Sequence, residues 1–491
     1  MGKVDIKRRE LLKYAGLSAA AASVSVIPTV TGLVGQAQAA TSTNHQVVVI
    51  GGGFGGSTVA KYLRLWGQGQ VDVTLVDAGA TYKTPILSNL VLNGQKTISN
   101  LTIDLKTSVS RNGGAFVQGK VLTIERNQVA ANGRVYNGQV KLLKPDNTQV
   151  YLPYDKLVLA PGVEFDYLPT MALANKGYTD KTCPIPHAWQ SGDQVLNLKA
   201  QIDKIPTGGK GAFVLCIPKK PYRCPPGPYE RACVVADILK RVKGGGKLII
   251  FDANSPVVAT DKYSAIQAET HTFTTAFTGQ FAGIVEYVPN AELISVSATA
   301  GQFGKKTANV RFPDGSTRTQ TCNVLNVLPT HKASQIVFDA GLISHPDTPI
   351  IGLPVDRFVP VNLQNYAYAP NGEIDPYIHV IGDSHKSSQP KAGHVANSEA
   401  KVCADAIVRE FNIVDDGLLP ENMIPVTNSA CYSPITNTTA SWLTAGYRFN
   451  PTTKTMDRIA ESFNEAEMPS SDNYKMMLAW ANNLFADTFS I

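Results

Sequence analysis

Two stretches in which an apolar strand runs through a turn into a helix, and then into a second strand, predict an α/β fold with two Rossmann-like dinucleotide-binding domains. The first opens with HQVVVIGGGFGGSTVAKYLRLWG. The second opens with GGKGAFVLCIP, which leads through a proline-rich turn and a helix to KLIIFDANSP. The third observation is size: a chain of 491 residues that is 43% apolar has material for two to four domains, so a small further domain is expected beside the two units.

Residues 1–39 stand apart from this plan. Arg8 and Arg9 precede an Ala- and Ser-rich apolar stretch ending in Ala37-Gln38-Ala39, the pattern of a twin-arginine export signal with its cleavage site. An uncleaved membrane anchor is the competing reading, and Pro28, the hydroxyl residues and the A-x-A ending argue against it. No later run reaches the ~18 apolar residues that a membrane span needs. The expectation is therefore a periplasmic protein with no membrane span after signal cleavage, exported folded with its cofactor. The net charge of +6 falls to about +3 without the leader, too weak a bias to predict a nucleic-acid partner.

Seven cysteines follow the leader, and spacing alone pairs none of them. None stands in CxxC or CxxCH, which excludes an attached haem and a zinc ribbon, and no histidine shows a ligand spacing, so no metal is expected.

In the first unit a buried strand at 47–50 enters Gly51-x-Gly53-x-x-Gly56. Gly51 permits the tight turn, Gly53 lets a pyrophosphate approach the backbone, and Gly56 lets the following helix pack on the strand. The strand at 71–76 ends in Asp77, about 20 residues on and suited to a ribose diol. Two later segments narrow the cofactor. KLVLAPGVEFDYLP is a strand ending in a small-Pro-Gly turn at Gly162, and HVIGDSHKSSQPKAGHVANSEAKVCADAI is a strand ending in Gly382-Asp383 before a helix. This ordered set resembles two-domain flavin reductases of the glutathione-reductase type. The resemblance implies FAD, with Asp383 on the ribityl chain and the next helix aimed at the isoalloxazine. Lys391 is the candidate for positive charge near the reduced ring.

The second unit has an altered turn, YRCPPGPYERA. Pro225, Pro226 and Pro228 have no N–H to offer a pyrophosphate, so this domain is expected to keep the fold without binding nicotinamide. Cys224, near a helix N-terminus with Arg223 and Arg231 close in sequence, is expected to favour the thiolate, as a nucleophile or half of a reactive disulfide; an inert or structural cysteine is the alternative. Glu230 is either an acid/base beside that thiol or a complement to the helix dipole.

Together KTCPIPHAWQSGDQ, YRCPPGPYERA, HVIGD, AGHVANSEAKV, NSACYS and AWANNLFADTF resemble the flavoprotein subunit of flavocytochrome c sulfide dehydrogenase, over residues 46–491. The resemblance implies a redox-active disulfide between Cys224 and Cys431 beside the flavin, with Cys431 nearer the ring, and Glu230 as the active-site glutamate. It implies sulfide or a related sulfur species as substrate and a c-type cytochrome subunit as electron acceptor. The family's flavin is tied to a cysteine of a YxTC segment. Here Tyr82-Lys83-Thr84-Pro85 ends in proline, so FAD is expected to be held without a covalent bond. Sulfide:quinone reductases share this layout; Cys183, the spare cysteine that invites a third catalytic role, is read as structural or free.

The expected division is a discontinuous FAD-binding domain (40–170 and 335–418), a second NAD-like domain (171–334) and a C-terminal interface domain (419–491). The apolar spacing at 474, 477, 478, 481, 485 and 489 predicts a helix for core or partner packing. Two further readings stand beside the sulfide dehydrogenase: a quinone-reducing relative and a non-catalytic flavoprotein binding subunit.

Overall fold

The computed structural model describes residues 43–256, 270–414 and 416–491. The export signal expected at 1–39 lies outside them. Strand His45–Ile50 is buried along Val47–Ile50, as a central parallel strand covered on both faces must be. It pairs in parallel with Val71–Asp77 on one side and Lys156–Leu159 on the other. Ala115–Gln118 and Asp375–Val380 extend the sheet outward, so the strand that ends at Gly382-Asp383 lies next to one from the first third of the chain. Helices Phe54–Trp66 and Gly393–Glu410 pack against each other on this sheet.

The second unit is a four-stranded parallel sheet in the order Val285–Val288, Lys247–Asp252, Ala212–Ile217, Val324–Val327, with helix Gly227–Arg241 as its crossover. Both units are thus Rossmann-like. The second is closed where a dinucleotide ribose would sit. Asp252, at the end of its strand, is fully buried and accepts from Tyr229 Oη–H (2.7 Å), Tyr287 Oη–H (2.8 Å), and the N–H (2.9 Å) and Nδ2–H (2.7 Å) of Asn254. The turn N–H groups are consumed too: Cys224 N–H donates to the Lys391 carbonyl (2.7 Å) and Gly227 N–H to the Cys224 carbonyl (2.9 Å).

The C-terminal part is an antiparallel sheet, Val426–Pro434, Ala440–Asn450 and Thr455–Arg458, followed by helix Ser471–Phe489. Ser470 caps that helix through Asn473 N–H (3.0 Å). Its apolar face is core: Met477, Ala481, Leu484, Phe485 and Phe489 are buried, with Phe489 5.3 Å from Phe54 and 5.7 Å from Tyr82 between ring centres. Core packing, one of the roles expected for this face, is observed. Asp487 reinforces it, pairing with Lys401 Nζ (2.8 Å) and accepting from Tyr62 Oη–H (2.7 Å).

With the second ribose position filled by tyrosines, millimolar NADH or NADPH is expected to leave the melting temperature of the purified protein unchanged. A rise of several degrees in a thermal scan would contradict that closure.

Candidate active site

The glycine turn is built as its spacing requires. Gly51 has φ +101°, and a Cβ there would meet the Ala160 carbonyl oxygen at 2.4 Å; a Cβ on Gly56 would lie 1.8 Å from the Gly51 carbonyl oxygen. Asp77 braces the turn, Oδ2 accepting from Gly52 N–H and Oδ1 from Gly79 N–H, both at 2.8 Å. Each carboxylate oxygen keeps a lone pair for a ribose hydroxyl. From this turn a cleft of about 650 Å³ runs past Gly53, Pro161-Gly162 and Tyr82 to Gly382-Asp383 and the first turn of helix Gly393–Glu410. A further 420 Å³ adjoins it beyond Asp77. Asp383 has its carboxyl raised by burial, while Arg223 and Lys391 draw it back toward the charged form. Lys391 is not on the cleft wall. Its ammonium is held by the carbonyls of Asp383 (2.9 Å) and His385 (2.7 Å) and lies 3.8 Å from the centre of the Phe358 ring. Its positive charge reaches the cleft through Asp383, which it draws toward the charged form.

Next to the cleft is a smaller cavity of about 90 Å³, lined by Cys224, Cys431 and Glu230. Pro85, Arg223 and Gly393 line both spaces. The proline-rich turn thus delivers Cys224, with φ +57°, and strand Val426–Pro434 delivers Cys431 from the C-terminal sheet. Both cysteines line this cavity and neither lines the cleft.

The thiolate expected at Cys224 is not what its surroundings favour. Burial, then the negative charges of Cys431 and Glu230, push the thiol well above its ordinary value, and Arg223 only partly opposes them. Arg231 does not turn toward the sulfur. It is 2% exposed, stacked 4.7 Å from the Trp189 ring, and donates to the carbonyls of His187 (3.0 Å) and Ala188 (2.6 Å), to Asn326 Oδ1 (2.9 Å) and to Asn89 Oδ1 (3.0 Å).

Glu230 has more than a dipole role. Burial pushes its carboxyl up to about 7, against the hydrogen bond from Asn89 Nδ2–H to its Oε1 (2.8 Å) and the charge of Arg231. Because Arg231 takes the Asn89 oxygen, the amide is oriented with its N–H₂ toward Glu230. Trp189, Tyr432 and Trp480 supply apolar walls, the last two with ring centres 5.2 Å apart and planes tilted by 35°. His394 Nδ1 accepts from Ala430 N–H (2.9 Å), and burial lowers that imidazole to about 4, so it stays neutral. Asn89 carries no motif of its own; KTCPIPHAWQSGDQ, AGHVANSEAKV and AWANNLFADTF contain Trp189, His394 and Trp480 and are the signal that could have pointed to them.

Cys183 lines neither space. Its sulfur accepts from Asn197 Nδ2–H (3.2 Å) and Gln194 Nε2–H (3.7 Å), and burial pushes the thiol up to about 11, consistent with a structural role. None of the residues lining the cleft is a cysteine. Among the described residues no cluster of three His, Cys, Asp or Glu side chains is arranged to hold a metal, and no helix is long and apolar enough to cross a membrane.

Residues 195–329 match the family model described as "Sulfide dehydrogenase [flavocytochrome c] flavoprotein chain, central". Over these residues the chain is similar to the central part of the flavocytochrome c sulfide dehydrogenase flavoprotein chain. Residues 45–196 match the pyridine nucleotide-disulphide oxidoreductase model. Together these make the chain an FAD-dependent flavoprotein oxidoreductase related to sulfide dehydrogenases. Among solved structures it is similar to the sulfide:quinone oxidoreductase of Aquifex aeolicus, at 15% identity, a TM-score of 0.64, and cover of 90% of this chain and 91% of that one. It is also similar to NDH2 from Plasmodium falciparum solved with NADH, at 12% identity, a TM-score of 0.58, and cover of 91% and 97%. At these identities the likeness is one of fold.

The first cleft fits FAD: a glycine turn and helix N-terminus for the pyrophosphate, Asp77 for the adenosine ribose, Asp383 for the ribityl chain, and the Gly393 helix N-terminus for the ring. Replacing Asn89 by Leu removes the donor that favours charged Glu230, so the carboxyl should titrate roughly one unit or more higher. Infrared difference titration of the carboxyl band checks this, and an unchanged midpoint would show that Asn89 does not set it.

Proposed function

We propose that this chain is a periplasmic flavoprotein that oxidises sulfide through a Cys224–Cys431 redox-active disulfide and passes the electrons from FAD to a c-type cytochrome subunit. The observation that carries the reading is the meeting of Cys224, Cys431 and Glu230 in one cavity that shares Pro85, Arg223 and Gly393 with the cleft. The family match over 195–329 supports the substrate and the partner, and the Arg8-Arg9 leader with its A-x-A ending supports the location.

Bound in the cleft, FAD supplies a two-electron sink and can release electrons singly to a haem. The chain's own residues prepare the sulfur. Hydrosulfide attacks Cys431 Sγ of the disulfide, forming the new S–S bond of a persulfide and breaking the bond to Cys224. Cys224 sits where a thiolate is disfavoured, so its departure calls for a proton. Glu230, poised at about 7, is the acid that gives it, leaving a thiol at Cys224 and a carboxylate that Asn89 and Arg231 stabilise. Arg223, on the wall of both spaces, places a fixed positive charge between sulfur and cofactor. Pro85 stands where the family's flavin-linking cysteine would be and has no nucleophile, which supports FAD held without a covalent bond.

Cys224→Ser or Cys431→Ser is expected to slow bleaching of the flavin by stoichiometric sulfide about a thousandfold or more, measured by stopped flow. Bleaching at the wild-type rate in either variant would leave a non-catalytic flavoprotein. Turnover with soluble cytochrome c but not with a soluble quinone is expected, and the reverse would make this a quinone-reducing enzyme. Acid precipitation should release the flavin into the supernatant; flavin retained in the pellet would mean that a residue other than Pro85 holds it.

A further inference from the structure

The turn that presents Asp383 to the cleft is gripped from behind by buried polar groups that the sulfide reading leaves without a task. Glu399, 2% exposed, lies on helix Gly393–Glu410 and turns its carboxyl back to the strand end. Its Oε2 accepts from Gly382 N–H (3.0 Å), and its Oε1 faces His385 Nε2 (3.0 Å). Lys391 holds the carbonyls of Asp383 and His385 on the same turn. Asp383, His385, Lys391 and Glu399 line a space of about 10 Å³, near the ~10–15 Å³ that a single water needs. Of these four only Asp383 also lines the cleft, so it is the wall through which the group acts on whatever the cleft holds.

Hydrogens at His385 decide what the pair is. The imidazole is 1% exposed and both its nitrogens face oxygen, Nε2 the Glu399 carboxyl and Nδ1 the Lys386 carbonyl (3.1 Å). A carbonyl oxygen only accepts, so Nδ1 carries a hydrogen. Nε2 then either has a hydrogen of its own, donated to a Glu399 carboxylate, or has none and accepts from a protonated Glu399. In both arrangements one proton lies between the two side chains. Tyr366, fully buried, covers the imidazole, with ring centres 5.3 Å apart. The other titratable groups facing Glu399 are Lys391, Asp383, the Tyr366 phenol and the Cys403 thiol; Arg223 also faces Asp383, and Asp356 also faces Lys391. Lys391 is engaged by its two carbonyls, Asp356 by Lys386 (2.7 Å), and the Tyr366 hydroxyl bonds to nothing among the described residues, so none of them replaces the shared proton.

We propose that Glu399 and His385 hold one proton in common and that this pair positions FAD, locking the Gly382-Asp383 turn assigned to the ribityl chain onto the helix whose N-terminus is assigned to the ring. The inference rests on FAD in the first cleft and is independent of the sulfide chemistry. Glu399 is a positioning residue: one carboxyl ties the end of strand Asp375–Val380, the turn after it and helix Gly393–Glu410 together. Without the shared proton, Glu399 Oε1 and His385 Nε2 would set lone pair against lone pair and push the carboxyl away from Gly382 N–H. A glutamine at 399 can keep both bonds, its oxygen accepting from Gly382 N–H and its N–H₂ donating to a neutral His385. A leucine of similar size loses both.

The test uses the full-length protein purified with its FAD. In protein carrying isotope-labelled histidine, the nitrogen resonances of His385, identified by their absence from His385→Asn, should show a hydrogen on Nδ1. A bare Nδ1 overturns the shared proton. Fluorescence titration of the stripped protein with FAD supplies the second readout: Glu399→Leu should raise the Kd about tenfold or more, and Glu399→Gln should stay within about threefold of wild type. Equal weakening in both variants would assign the effect to the carboxylate charge alone, and unchanged binding in Glu399→Leu would remove Glu399 from the cofactor's support; either result overturns the proposal. Should Glu399→Leu fail to fold, Glu399→Gln and the His385 spectrum decide, tight FAD together with a protonated Nδ1 supporting the pair and the lack of either overturning it. Wild-type protein that takes up no FAD sinks the cofactor assignment, and this role with it, whatever the variants do.

Discussion

One main-chain hydrogen bond, from Cys224 N–H to the Lys391 carbonyl at 2.7 Å, joins the two Rossmann-like units at the point where chemistry is expected. A turn with glycines would spend its N–H groups on a phosphate. This one, with prolines at 225, 226 and 228, has few to spend, and Cys224 gives its own to the backbone just before the helix that faces the cleft. The bond fixes a backbone conformation at φ +57° that a cysteine rarely adopts, and so sets where the sulfur lies relative to Pro85, Arg223 and Gly393. Everything in the smaller cavity is arranged around that placement.

The electrostatics of the cavity follow from shielding more than from the count of nearby charges. Two arginines flank Cys224 in the sequence, yet the side chain of Arg231 is spent on carbonyls and amides and that of Arg223 is turned to the Trp189 carbonyl. With desolvation the leading influence on both, the neutral forms of the thiol and of the Glu230 carboxyl are favoured together. A proton held at Glu230 near neutrality, beside a sulfur that resists charge, is a more useful arrangement for exchange than a standing thiolate. Asn89, gripped by Arg231 on one side and donating to Glu230 on the other, keeps that carboxyl from rising further.

The parts of this architecture that local sequence determines were legible without coordinates. Gly51, Gly53 and Gly56 between a buried strand and a helix, Asp77 one strand later, and the Gly162 and Gly382-Asp383 turns each obey short-range rules of backbone geometry. The prolines of the second turn likewise announce a lost phosphate site. Arg231 misled because adjacency along a helix says nothing about which way a long side chain points; its partners, Asn326 and the carbonyls of 187 and 188, come from elsewhere in the chain. Nor does local sequence show that the Lys391 ammonium is captured by carbonyls of the preceding turn. The helix at the C-terminus showed its apolar stripe clearly, but only packing against Phe54 and Tyr82 says what the stripe covers.

The closure of the second unit reaches further than the loss of a glycine motif. Asp252 is where an acidic group would greet a ribose, and it is instead clamped by two phenols and an asparagine inside the protein. Grafting a glycine-rich loop into positions 222–228 would therefore not recreate a nicotinamide enzyme, because the carboxylate would still be facing inward and Tyr229 and Tyr287 would still occupy its hydrogen-bonding directions. The specialisation is locked at two places on opposite ends of one crossover helix and strand, and reversing it would take coordinated change at both.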